Sequence, residues 1–158
     1  MIRTKATLST ESLKAMIQEL QKYRDGIESK CDELCRRLAE IGVSAAVSKI
    51  EGRYVTGELA SSISFQRVGE AEYLVIADND HAAFVEFGTG VVGDGSYQGE
   101  LPSNWEYDVN NHGDDGWWYL HDDGTYWWTA GQTGKGYMAS AAEEMRQQVL
   151  KIAKEVFA

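Results

Sequence analysis

The sequence predicts an α+β protein, in which a long N-terminal helix and a C-terminal helix flank short strands and an aromatic β-hairpin. Apolar residues recur every three or four positions from Leu13 to Ile41, which is the spacing of one face of an α-helix. The same spacing returns from Met138 to Val156. Between these segments lie short apolar runs separated by turn-forming residues, a pattern typical of β-strands.

The N-terminal helix is predicted to run from Thr10 to Ile41, with Gly42 as a candidate C-cap. At 1.5 Å per residue it would be about 48 Å long. A compact chain of this size has a radius of gyration of only about 15 Å. The helix should therefore extend beyond its domain, pack on a neighbouring subunit, or break near Asp25-Gly26. Its apolar stripe has one gap, at Arg24.

The centre of the chain begins with short elements. Strands are predicted at Ile63–Val68 and Tyr73–Ala77, because both runs are rich in β-forming residues and a Gly-Glu-Ala-Glu turn separates them. Short helical segments are predicted at residues 43–50, 56–62 and 81–87. Thr56 is a candidate N-cap for the second of these segments.

An aromatic β-hairpin is predicted farther along. The runs GWWYLH and TYWWTA flank Asp122-Asp123-Gly124, and Asp-Gly between β-forming runs is a strong hairpin signal. Alternation places Trp117 and Tyr119 on one face and Trp118 and Leu120 on the other. Both faces are apolar, so both require cover. Residues 91–111 predict a loop and residues 131–136 a flexible link. We expect a single domain over residues 1–158, with residues 91–124 as a loop and hairpin elaboration.

The net charge of −10 comes from the centre of the chain. Residues 68–134 contain thirteen Asp and Glu, no Lys or Arg, and all five Trp. This acidic balance argues against sequence-specific nucleic-acid binding, which depends on cations facing phosphates. It also disfavours docking on anionic lipid. No apolar run approaches the roughly 20 residues of a membrane span. A charge run of this kind can also be a simple solvated face.

The residues that common catalytic and metal sites require are present without the necessary spacing. There is no G-x-S-x-G and no phosphate-binding loop. Cys31 and Cys35 are four residues apart on a helix and are expected to be small, buried thiols in a reducing cytosol. The histidines do not follow a metal-ligand spacing: His81, His112 and His121. The residues therefore predict no catalytic site, no metal and no cofactor, although the many carboxylates leave a glycoside-cleaving pair open.

The clustered tryptophans allow two interpretations. Aromatic residues are enriched in subunit interfaces, and a hairpin with two aromatic faces is hard to bury on one small domain. This favours an interface formed by Trp117, Trp118, Trp127 and Trp128. The alternative is a carbohydrate-binding module that uses the same Trp-rich acidic region as a platform for sugars.

Three segments, in this order, resemble the motifs of one protein family. Thr56–Ile63 (TGELASSI) is similar to a T-G-x-L-x-x-S-I signature, and His81–Gly90 (HAAFVEFGTG) to a Y-A-x-x-V-E-F-G-T segment. The glycine link and Met138 resemble a P-F-M/L-x-P-A segment, but Tyr137–Ala141 lacks both prolines. The family is the head–tail joining and tail completion proteins of long-tailed bacteriophages and prophages. The resemblance covers roughly residues 10–90 and 125–158.

This resemblance implies a structural protein of the virion that is made in the cytoplasm of the bacterial host. It implies a small, mostly antiparallel sheet packed by the two long helices, with no enzymatic activity. It also implies assembly as a homo-oligomeric ring that contacts neck, connector or tail-tube proteins. The acidic centre would suit a passage that DNA traverses without sticking. Through the V-E-F-G-T segment, the resemblance implies structural roles in assembly for Glu86, Phe87, Gly88 and Thr89. Glu86 is expected to pair with a cation on an adjacent subunit or to be solvated.

Overall fold

The protein has an α+β fold with long helices at both ends, as the sequence predicts. The computed structural model describes residues 9–50, 57–121 and 123–158. The helices are α1 (Thr10–Ile50), α2 (Gly57–Ser62), α3 (Ala82–Phe87), α4 (Gly90–Gly93) and α5 (Tyr137–Phe157). The strands are β1 (Ile63–Gly69), β2 (Glu72–Ala77), β3 (Gly88–Thr89), β4 (Trp117–Leu120), β5 (Tyr126–Thr129) and β6 (Gln132–Thr133). The candidate cap Thr56 lies outside the described residues.

Helix α1 is longer than predicted, because it continues through Gly42 to Ile50. The predicted C-cap at Gly42 is therefore wrong. Gly42 is buried where α5 and β2 approach α1, and a Cβ there would lie 2.7 Å from Met145 Sδ and 3.1 Å from Val75 Cγ2. The glycine serves close packing rather than helix termination. The helix does not break at Asp25-Gly26, so its 41 residues span about 62 Å.

Helix α5 packs antiparallel to the C-terminal half of α1. Near the end of α5, the ring of Phe157 lies 5.7 Å from Lys30 Nζ, and Glu155 pairs with Arg37 at 2.5 Å. At the start of α5, Tyr137 and Ala141 share the core with the last turns of α1. The N-terminal half of α1 therefore extends beyond α5, which is the first of the three outcomes expected from its length.

The strands form antiparallel pairs. β1 pairs with β2, with Ile63 opposite Ala77, and this hairpin packs on α1. Asp32 of α1 accepts hydrogen bonds from Arg67 at 2.8 Å and Tyr73 at 3.1 Å. Burial raises the pKa of the Asp32 carboxyl, but these hydrogen bonds outweigh burial and hold the pKa below its usual value. β4 pairs with β5 as the predicted aromatic hairpin.

Two short elements, β6 and α4, correct two sequence predictions. Residues 131–136 are not simply a flexible link, because β6 within them pairs with β3, placing Gly88 opposite Thr133. Residues 91–111 are not entirely loop, because the helical turn α4 ends at Gly93. Such short elements have no period of their own, and their hydrogen-bond partners lie far away in the sequence.

The core joins both ends of the chain. It contains residues from α1, α2, β1, α3 and α5: Ala46, Ile50, Leu59, Ile63, Val85, Tyr137 and Ala141. The Tyr137 hydroxyl donates to Ala82 O at 3.1 Å, so the buried ring is satisfied. Among the described helices, none combines the length and apolar character that a membrane span requires. The extent of the single domain stays a prediction.

Candidate assembly surfaces and the adjoining cleft

Glu86 is a buried carboxylate that binds the N-terminus of α5. Its side chain is on α3 and the residue is only 5% exposed. Its Oε2 accepts the N–H of Met138 at 2.8 Å, and its Oε1 accepts the N–H of Ala139 at 3.1 Å. The N-cap of α5 is Gly136, which has no side chain to satisfy these donors. Glu86 therefore supplies, from a distant element, the cap that the local sequence lacks.

The same carboxylate connects α5 to the central elaboration. Tyr97 donates its hydroxyl to Glu86 Oε1 at 3.3 Å, and the N–H of Gly136 donates to the Glu86 carbonyl at 3.0 Å. Burial, and secondarily the Glu86 charge, raises the pKa of Tyr137 to about 12. Burial and Glu86 also raise the pKa of Tyr97. Glu86 is thus satisfied within its own chain rather than exposed, and any part it has in assembly is indirect.

Phe87 lies in an aromatic cluster built largely by the long loop. Its ring centroid is 5.1 Å from that of Tyr97 and 4.9 Å from that of Trp105. Trp105 also packs on Phe84 at 5.7 Å. Sequence reasoning did not assign Tyr97 or Trp105 to any site. The loop has no period, so the only available signal was its aromatic content.

Gly88 and Thr89 form β3 and hold the end of the aromatic hairpin. Gly88 has φ of 93°, and a Cβ there would lie 2.7 Å from the Gly134 nitrogen. Gly131 has φ of 100°, and a Cβ there would lie 1.9 Å from Thr89 O. Both positions require glycine, for conformation and for space. The V-E-F-G-T segment therefore positions the hairpin as well as α5.

The β4–β5 hairpin has one face that is uncovered. Trp118 pairs with Trp128 and Leu120 with Tyr126, so these four side chains share a face. We call it the outer hairpin face. Its residues are Trp118 (63% exposed), Leu120 (61%), Tyr126 (68%) and Trp128 (48%). The rings of Trp118 and Trp128 meet edge to face at 5.6 Å.

The opposite face of the hairpin is partly covered by histidines. His112 stacks on Trp117 and His121 stacks on Trp127, each with ring centroids 4.4 Å apart. His112 is held by Asp108, whose Oδ1 lies 2.7 Å from His112 Nδ1. Burial raises the pKa of Asp108, but hydrogen bonds from His112 and from the Gly113 N–H outweigh it and lower the pKa below its usual value. The histidines thus serve as stacking partners for two of the four candidate tryptophans.

A cleft of about 860 Å³ lies between this hairpin face and α3. Its walls include Phe84, Tyr107 and Trp117, with polar groups from Asn79 and Gln132. The Tyr107 hydroxyl is buried and has no hydrogen-bond partner among the described residues. Within that part of the chain, no group of His, Cys, Asp and Glu side chains is arranged to hold a metal ion.

A second uncovered surface lies on the N-terminal half of α1. Tyr23 is three residues from Leu20 and four from Ile27, so it fills the helical spacing beside the gap at Arg24. We call this surface the α1 stripe. Its exposed residues are Leu13 (42%), Ile17 (52%), Leu20 (48%), Tyr23 (53%) and Ile27 (39%). A soluble helix normally buries such a stripe against another element.

The described fold is that of a small α+β protein with two apolar surfaces that face solvent. Residues 14–88 match a family described as "Bacteriophage HK97-gp10, putative tail-component". This match, over just under half of the chain, confirms the resemblance and supports a phage structural tail protein. It extends from α1 to Gly88 and leaves the aromatic hairpin outside. No curated protein and no solved structure matches the chain.

Proposed function

We propose that this chain joins the tail to the head, or completes the tail, in the virion of a long-tailed phage, and that it assembles as a ring. The observation that carries the proposal is the match of residues 14–88 to a phage tail-component family. Two further features support assembly. The α1 stripe and the outer hairpin face are both apolar and solvent-exposed, and large exposed apolar patches mark interaction sites. A structural function, rather than a catalytic one, fits the role of a virion component.

In this proposal, the chain is made in the host cytoplasm and reaches the virion by assembly. Its partners are further copies of itself and neck, connector or tail-tube proteins. The exposed acidic residues of positions 68–134 would face DNA without binding it, because like charges repel. Of the four candidates, Trp118 and Trp128 lie together on the outer hairpin face and are the interface residues of this proposal. Trp117 and Trp127 stack on histidines and stabilise the hairpin on its opposite face.

The proposal is tested by removing the gene from its phage or prophage. We expect filled heads and tails that remain unjoined, or tails of abnormal length, in negative-stain electron micrographs of the lysate. Adding the purified protein to such a lysate should restore infective particles. A normal yield of infective particles without the protein would overturn the proposal.

Carbohydrate binding remains a second candidate because the outer hairpin face exposes three aromatic side chains within an acidic segment. Stacking of His112 and His121 occupies one face of Trp117 and one face of Trp127, which favours the outer hairpin face as the sugar platform. Binding to a broad glycan panel that is lost on Trp128→Ala would support this function. No binding across the panel would exclude it.

A further inference from the structure

The outer hairpin face and the α1 stripe lie far apart in the folded protein, near opposite ends of α1. The hairpin is held by α3 and β3 beside the last turns of α1, because Val85 of α3 shares the core with Ile50. The α1 stripe begins 23 residues before Ile50, at Ile27, and ends at Leu13. At 1.5 Å per residue, this places the stripe roughly 35–55 Å from the Ile50 end of the helix. The two surfaces therefore cannot cover each other within one chain.

The charges favour contact between the two different surfaces. Arg24 lies within the α1 stripe and pairs at the surface with Asp25 at 2.9 Å and Glu28 at 3.3 Å. The hairpin segment is acidic, with Asp123 in its turn and no Lys or Arg between Val68 and Gly134. Two hairpins in contact would bring like charges together. Two parallel α1 stripes in register would place Arg24 against Arg24.

The outer hairpin face offers Arg24, whose side chain is 66% exposed, a partner in addition to Asp25 and Glu28. An arginine packs favourably over the face of a tryptophan, and the acidic turn adds a long-range attraction. Three aromatic side chains and one leucine, each about half exposed or more, present roughly 400 Å² of apolar surface. The α1 stripe presents a similar area. A contact between them would bury about 800–1,000 Å² in total, which is the size of a weak interface that gains strength from repetition.

We propose that the α1 stripe of one copy packs on the outer hairpin face of the next copy, head to tail. The inference rests on the ring of the proposed function, since a contact between two different surfaces generates a ring when its rotation closes. In this arrangement the α1 stripe binds the outer hairpin face. Arg24 gives the stripe its preference for the acidic, aromatic hairpin over a second α1 stripe. Each copy would use both surfaces, and both surfaces would be covered in the ring.

Complementation between two variants tests the proposal. Ile17→Gln with Leu20→Gln disables the stripe and keeps helix-forming residues. Trp118→Thr with Tyr126→Thr disables the hairpin face and keeps β-forming residues. In sedimentation experiments, we expect the wild type to associate with increasing concentration, and each variant alone to associate at least tenfold more weakly. An equimolar mixture should form a 1:1 heterodimer and nothing larger, because only one competent pair of surfaces remains.

Matched controls are exposed apolar residues outside both surfaces. Leu150→Gln on α5, where the side chain is 75% exposed, should associate as the wild type does, as should Leu74→Thr on β2. Arg24→Glu should weaken wild-type association at least tenfold, because a carboxylate then faces the acidic hairpin. A mixture that stays monomeric, or a single variant that associates like the wild type, would overturn the proposal. Self-association of the hairpin variant alone would indicate contact between two α1 stripes.

Hydrogen exchange of the wild type provides a test without substitutions. Between dilute and concentrated protein, exchange should slow at residues 13–27 and 117–129 together. Slowing at only one of these segments, or a wild type that stays monomeric in concentrated solution, would overturn the pairing. If rings form and phage assembly depends on the gene, but the protected surface lies elsewhere, only this inference fails. If phage assembly proceeds without the gene, the proposed function fails independently.

Discussion

Replacing Glu86 with glutamine tests whether a buried carboxylate on α3 holds the start of α5. Glu86 accepts two backbone N–H groups from the first turn of α5, at 2.8 and 3.1 Å. A glutamine side chain keeps one acceptor oxygen and places an NH₂ group against the other N–H. The variant therefore loses one charge-assisted hydrogen bond and weakens the other.

The magnitude follows from these contacts. A hydrogen bond to a charged group contributes about 1.5–3 kcal/mol. A carboxylate at a helix N-terminus adds about 0.3–1 kcal/mol through the helix dipole. We therefore expect the free energy of unfolding to fall by about 2–4 kcal/mol in Glu86→Gln. With a urea m-value of about 2 kcal/mol per molar, the midpoint should fall by about 1–2 M.

Urea unfolding monitored by far-ultraviolet circular dichroism measures this loss. Glu143→Gln, on an exposed face of the same helix, is the matched control. Its carboxylate pairs with Arg146 at 2.6 Å and is 53% exposed, so the change should cost less than about 1 kcal/mol. If Glu86→Gln unfolds within about 0.5 kcal/mol of the wild type, then the carboxylate does not stabilise the α5 N-terminus as reasoned.

Three other substitutions probe the core and the glycines. Tyr137 has a pKa raised from 10 to about 12, so its protonated form favours the folded state; this stability is complete below pH 10 and falls between pH 10 and 12, by roughly 3 kcal/mol. Tyr137→Phe should remove that part of the alkaline loss in unfolding titrations and cost about 1 kcal/mol at neutral pH; an unchanged alkaline limb would contradict the assignment. Gly131→Ala should destabilise the protein by more than about 2 kcal/mol in urea unfolding, because its Cβ would overlap Thr89 O; wild-type stability would show that the strand pair tolerates a side chain. Gly26→Ala, with nothing within 4 Å of its Cβ, should instead stabilise α1 by about 0.5–1 kcal/mol; hydrogen exchange in residues 10–30 measures this gain, and faster exchange there would argue against an uninterrupted helix.

Much of the secondary structure could be predicted because it is local. The three-four spacing identified α1 and α5, and the Asp-Gly turn identified the aromatic hairpin. Alternation separated Trp117 and Tyr119 from Trp118 and Leu120, and the structure adds that Trp118 lies opposite Trp128. Periods of 2 and 3.6 residues follow from backbone geometry alone, so these features need no knowledge of distant residues.

The end of α1 and the environment of Glu86 could not be predicted in the same way. Gly42 looks like a C-cap in the sequence, but α5 and β2 approach it closely and the helix continues. Glu86 looks like an exposed helix-end charge, but the loop and α5 enclose it. Val75 and Met145, which approach Gly42, and Met138, which donates to Glu86, all lie more than 30 residues away in the sequence, and local pattern contains no information about them.

The sequence by itself determined that a long helix lies near each end of the chain and that short strands lie between them. It also determined the concentration of negative charge and tryptophan between residues 68 and 134. It also contained the segment that matches a phage tail-component family. Only the tertiary structure decided which apolar faces are covered. α5 covers the second half of α1 and leaves the stripe from Leu13 to Ile27 exposed, while histidines partly cover one hairpin face and leave the other exposed. Burial depends on which distant elements meet, and periodicity reports only that a face is apolar.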